Sequence, residues 1–99
     1  MSIEEQRAEI DAIDEELLRL LNMRARLAVK VGQSKRDAGL SLSDRARESE
    51  VIERARRANT GPLDDNAVVT LFKHIIRASR LVEARALEAS SAERSRESA

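Results

Sequence analysis

The 99-residue chain has no cysteine, tryptophan or tyrosine, and only one phenylalanine and one proline. Without thiols it can form no disulfide, no thiolate nucleophile and no cysteine-ligated metal site. It also lacks a net charge of either sign, because 18 basic and 18 acidic side chains cancel. That argues against a general attraction to nucleic acid or to an anionic membrane. No apolar run approaches the roughly 18 residues that a bilayer crossing requires. The opening MSIEEQRAEI is acidic and polar where a secretory signal is basic and then apolar, so the expected compartment is the cytoplasm. There is no internal repeat and no Gly-rich phosphate loop. The lone His74 has no second His or Cys beside which to bind a metal, and no Ser-His-Asp or Cys-His set is recognisable.

What remains is rich in Ala, Leu, Arg and Glu, with only three glycines to make turns. No segment alternates with a two-residue period. The expected fold class is therefore all-α, a single domain built as a three-helix chain with a very long first helix. That helix is expected from Ser2 or Ile3 to about Asp37. Ser2 followed by Glu5 forms a capping-box pattern, and DAGLSLSD closes the helix at Gly39. Ile10, Ile13, Leu17, Leu20, Leu21, Leu27, Ala28 and Val31 form its apolar stripe. At 1.5 Å per residue the helix is roughly 50 Å long, too long for two shorter helices to cover, so a second copy of the chain is expected to complete a homodimer. The second helix is expected from Ser43 or Asp44 to about Ala58, and NTGPLDD separates it from a third. The third runs from about Asp65 to about Ala89. Residues 1–89 form the domain, and SSAERSRESA (90–99) reads as a disordered polar tail.

Several polar residues fall where the packing pattern calls for hydrocarbon. With about 100° per residue and Ile10 as zero, Arg24 lies at about 320° and Lys35 at about 340°, inside the stripe. On the third helix, with Phe72 as zero, Ser79 lies at about 340° and Glu83 at about 20°. The two are four apart, hence neighbours on one surface. Asp44, Arg47 and Glu48 share the side of the second helix that carries Val51, Ile52 and Ala55. Arg7 lies at the edge of the first stripe.

Each has a plain structural reading. Arg24 and Glu83 can form a buried ion pair that fixes register. Lys35 can snorkel at a helix C-terminus, and Ser79 can bond its own helix carbonyls. Asp44 can simply cap, Glu48 can be a solvated charge, and Arg7 can be surface. The run SDRARESEVIERARR reads as a solvated face with i,i+4 ion pairs. Jointly, however, inward polar residues on all three helices describe a cation-lined cavity within a bundle. Two or three such cations suit a small ligand with more than one carboxylate.

At these residues the chain resembles the all-helical chorismate mutase family. RAEIDAIDEELLRLLNMRARLAVKVGQSK resembles its first helix, with Arg, Ile-Asp-x-Ile-Asp, Leu-Leu, Arg-x-x-Leu-Ala and Gly-x-x-Lys in order. DRARESEVIERA resembles the second helix, and LFKHIIRASRLVE the Phe-x-x-Ile-Ile-x-x-Ser segment of the third. The resemblance spans about residues 5 to 87. It implies an intertwined helical dimer and conversion of chorismate to prephenate without cofactor or metal, a step toward phenylalanine and tyrosine. It assigns Arg24 and Ser79 to one substrate carboxylate, and Arg7 from the other protomer with Lys35 to the second. Lys35 would also donate to the ether oxygen. Glu48 and the Asp44 backbone would take the ring hydroxyl, with Arg47 along the same wall. Glu83 stands where many bacterial members carry Gln, and a carboxyl donates only when protonated. Apolar neighbours are expected to favour that neutral form, against the opposing effect of Arg24 and Lys35. The alternatives are an isochorismate-pyruvate lyase on the same fold, which would differ near the Lys35-to-Asp44 connection, or a non-catalytic helical dimerisation module. Whether the chain is free-standing or one domain of a larger aromatic-pathway protein stays open at this level.

Overall fold

The computed structural model describes residues 1–98 and contains three helices: α1 (Ile3–Asp37), α2 (Arg45–Ala58) and α3 (Asp65–Ser98). Their boundaries follow local chemistry. Ser2 caps α1 by accepting from the Glu5 amide at 3.1 Å, with Glu4 and Glu5 favourably placed in the first turn. At the other end Gly39 takes φ 70°. The Leu40 amide then reaches the Lys35 carbonyl at 2.8 Å and the Gly39 amide reaches that of Arg36 at 3.0 Å. This double closure satisfies carbonyls that the helix end would leave free, and the positive φ is why a glycine stands there.

Of the two candidate caps for α2, Asp44 serves, accepting from the Arg47 amide at 2.9 Å. Asp64 caps α3 through the Ala67 amide at 2.7 Å. Asn59 organises the turn between them: its side-chain amide donates to the Leu63 carbonyl (2.7 Å) and to Asp65 (3.0 Å), and its oxygen accepts from the Gly61 amide (3.1 Å).

The third helix departs from expectation. It continues to Ser98, whereas a disordered tail was expected from residue 90; Ala99 lies outside the described residues. The segment Glu88–Ser98 contains no Gly or Pro and several good helix formers. Extending an existing helix avoids the nucleation cost that an isolated segment of that composition would face.

α3 packs against both α1 and α2, which do not pack on one another. The result is a thin body of 63 × 30 × 15 Å. Val68 and Leu87 are the only buried large apolar side chains among the described residues, while Ile10 is 56% exposed, Leu17 50% and Val31 54%. The apolar stripe of α1 thus exists as expected but lies open over most of its length. An exposed apolar stripe of this length is unusual on a monomer surface. The charged face of α2 is solvated as expected, but its ion pairs are mainly three apart. Arg47 pairs with Glu50 at 2.8 Å and Arg56 with Glu53, while Arg57 reaches Glu53 more loosely at 3.9 Å. The hydrogen bond from Arg56 holds the Glu53 carboxyl below its ordinary pKa. Among the described residues no helix is long and apolar enough to cross a membrane.

Candidate active site

A cleft of about 270 Å³ opens where α1, the start of α2 and the middle of α3 face one another. That volume is near the lower end for small-molecule sites. Arg24, Ala28, Val31 and Lys35 line it from α1, since steps of three and four residues keep them on one face. Asp44, Arg47, Glu48 and Val51 contribute from α2, and Ile76, Ser79, Arg80 and Glu83 from α3, with Leu42 above. Seven of the eight residues expected at a site therefore meet in one place. Arg7 does not. It is exposed on α1, 17 residues before Arg24, which is about 26 Å along the helix axis.

Ser79 is buried, with only 7% of its surface exposed, and its hydroxyl accepts a 2.9 Å hydrogen bond from Arg24 Nη1. That bond spans α1 and α3, so neither plain structural reading holds. Ser79 does not turn back to its own helix carbonyls, and no ion pair joins Arg24 to Glu83 among the described residues. Ser79 is a neutral acceptor that orients the guanidinium and leaves its charge uncompensated. A charge so placed is costly against hydrocarbon and tolerable beside a polar, fillable space.

The other cations are tied differently. Lys35 Nζ lies 3.7 Å from Asp44 Oδ2, inside ion-pair range but beyond a hydrogen bond. Asp44 thus caps α2 through one carboxylate oxygen and faces Lys35 with the other. Arg47 lines the cleft while its guanidinium pairs along α2 with Glu50. Arg80 pairs with Glu48, joining α3 to the first turn of α2. Periodicity does not single out Arg80, which sits at the edge of the apolar stripe, at about 80° when Phe72 is zero. Its available signal was position alone, next to Ser79 and one turn before Glu83. Glu83 leans against α1 at Gly32, the one buried residue of that helix.

The walls thus present four cations and three carboxylates, with apolar patches from Val31, Val51 and Ile76. Such a surface suits a compact anion that has an apolar body. No nucleophile with an activating base stands in it.

Comparisons with known proteins place the chain in a family. Residues 6–84 match the family described as chorismate mutase type II. The chain is 41% identical over 85 residues to a bifunctional chorismate mutase/prephenate dehydratase of Aquifex aeolicus, covering 82% of this chain and 24% of that protein. It is 29% identical over 83 residues to a chorismate mutase of Methanocaldococcus jannaschii, covering 83% of this chain and 84% of that one. The chain spans about a quarter or less of the length of the bifunctional relatives it matches. Among solved structures it is similar to a chorismate mutase from Thermus thermophilus, with a TM-score of 0.81 and 37% identity over 84% of this chain and 94% of that one. It is also similar to the Helicobacter pylori enzyme in complex with prephenate, with a TM-score of 0.79 and 29% identity over 87% of this chain and 93% of that one.

Proposed function

The chain belongs to the chorismate mutase type II family, and from that premise we propose that it converts chorismate to prephenate in the cleft between its three helices. The reaction is an intramolecular [3,3] rearrangement. An ether C–O bond breaks as a C–C bond forms, and no proton, electron pair or group enters or leaves. A protein can therefore help in two ways: by holding the substrate in its folded reactive conformer, and by stabilising charge that develops on the ether oxygen. A cleft without a nucleophile is sufficient for that chemistry.

The observation that carries this reading is the Arg24–Ser79 hydrogen bond, which holds an unneutralised guanidinium at the wall of the cleft. Arg24 binds one substrate carboxylate through charge-assisted hydrogen bonds. Lys35 exchanges its loose contact with Asp44 for the second carboxylate and donates to the ether oxygen. Glu48, steadied by Arg80, accepts from the ring hydroxyl beside the Asp44 backbone. Arg47 flanks that wall. Glu83 faces the ether oxygen from α3 and donates to it when its carboxyl is protonated.

Arg7 enters from a second copy. The exposed apolar stripe of α1 needs cover, and charge favours the same chain as its occupant. Residues 1–18 carry the acids Glu4, Glu5, Glu9, Asp11, Asp14, Glu15 and Glu16 against the single base Arg7. The groove formed by α2 and Phe72 is lined by Arg24, Arg47 and Arg54 with Val51, Ala55 and Ala58, and no acid. An acidic amphipathic helix laid there completes both surfaces and delivers Arg7 of the partner subunit to the cleft.

On mixing with purified protein, chorismate absorbance should fall as prephenate accumulates. Arg24→Ala and Lys35→Ala should each lower kcat/KM by about 100-fold or more while the helical circular dichroism stays unchanged. An inert helical module would leave chorismate untouched, and salicylate formed from isochorismate would mark the lyase reaction instead.

Because a glutamine amide is always a donor, Glu83→Gln should match or exceed the wild-type kcat/KM, whereas Glu83→Ala should lower it by about 10-fold or more. A Glu83→Ala protein that turns over chorismate as fast as the wild type would refute the role.

Arg7→Ala and Arg24→Ala proteins should each be nearly inactive alone. After co-refolding, random pairing leaves one intact cleft in each mixed dimer, so about one quarter of wild-type activity should return. No recovery would show that Arg7 does not act across chains.

A further inference from the structure

We propose that Gly32 is a positioning residue for Glu83: the absence of a Cβ on α1 creates the recess in which the Glu83 side chain lies. The recess fixes the direction in which that carboxyl enters the cleft. The inference rests on the reading of the cleft as the reaction site.

The three glycines of the chain are used differently. Gly39 and Gly61 have φ of 70° and 79°, and a Cβ on either would meet nothing within 4 Å. Their value lies in backbone freedom. Gly32 is the reverse case. It has no positive φ, sits well inside α1, and is the only buried residue of that helix. Alanine is the better helix former at such a position, so backbone conformation gives no reason for glycine. Space does. A Cβ at residue 32 would lie 2.9 Å from Glu83 Cγ and 3.0 Å from Cδ, and closer still to Oε1.

The clash reaches into the root of the Glu83 side chain as well as its free end. Relief by turning the terminal carboxyl alone is therefore insufficient. Cγ must move, by rotation about χ1 or by a shift of α3 away from α1, and either displaces the carboxyl with it. Lys35 stands three residues beyond Gly32 on the same helix, so the recess places the Glu83 carboxyl one turn from the Lys35 side chain. Both donors assigned to the ether oxygen thus take their placement from one short segment of α1.

Size, and not charge, is the property this mechanism reads, and the test follows from that. Gly32→Ala is combined with Glu83, Glu83→Gln and Glu83→Ala, and initial rates are measured with chorismate per folded protein. Misplacement by about an ångström is expected to lower kcat by roughly 10- to 100-fold in the Glu83 and Glu83→Gln backgrounds, with KM moving much less. In the Glu83→Ala background, where Cγ, Cδ and the carboxyl are gone, Gly32→Ala should change kcat by less than about twofold. Equal losses in all three backgrounds, or none in any, would overturn the inference. If Gly32→Ala fails to fold, recovery of the fold on adding Glu83→Ala supports the recess, and failure to recover overturns it. Absence of chorismate turnover in the wild-type protein would instead refute the proposed function, so the two failures are told apart by the control.

Discussion

The hydrogen bond from Arg24 to Ser79 is the constraint on which the site depends. It forms between α1 and α3 at a depth where both helices otherwise present hydrocarbon, and Ser79 is one of the few buried residues of the chain. A carboxylate partner would have neutralised the guanidinium and made the pair a structural staple. A hydroxyl fixes its direction and leaves its charge available. Around that fixed point, the loose Lys35–Asp44 contact and the Arg80–Glu48 pair hold the entrance of α2 against the other helices. Half-exposed ion pairs of this kind add little stability, about 0–1 kcal/mol each, so their effect is chiefly on position.

A cleft at this place also explains why the chain is so thin. A three-helix body with Val68 and Leu87 as its buried large apolar side chains, among the described residues, has little hydrophobic burial to offset its chain entropy. The long stripe of α1 is the reserve from which the remainder can come. Its acidic N-terminal half and the arginine-lined groove along α2 are complementary in charge as well as in polarity. In the proposed dimer, stability and catalysis would draw on the same contact, because the exposed stripe would be covered beside the cleft that Arg7 of the partner subunit would enter.

Much of this was legible from helical periodicity. Arg24, Lys35, Ser79 and Glu83 betray themselves because the helical repeat puts each inside an apolar stripe, and the structure brings them together. Capping chemistry located the first two helix starts, because Ser2 and Asp44 each have a side-chain oxygen within reach of the amide three residues on. Other features had no periodic signature. Arg80 sits at a stripe edge, where arginine is ordinary, and its link to Glu48 depends on how α2 and α3 approach. Gly32 looked like one letter of a motif until the distance to Glu83 gave it a physical reason. Composition misled at the C-terminus, where polarity suggested disorder although nothing in Glu88–Ser98 stops a helix already formed.

Direct binding tests the central claim most plainly: that Arg24, oriented by Ser79, grips a dianion in this cleft. Titration calorimetry with prephenate should show one site per chain, weakening as salt is added. Arg24→Ala should reduce the affinity by about tenfold or more without loss of helix. Unchanged affinity and salt dependence in the Arg24→Ala protein would contradict the account.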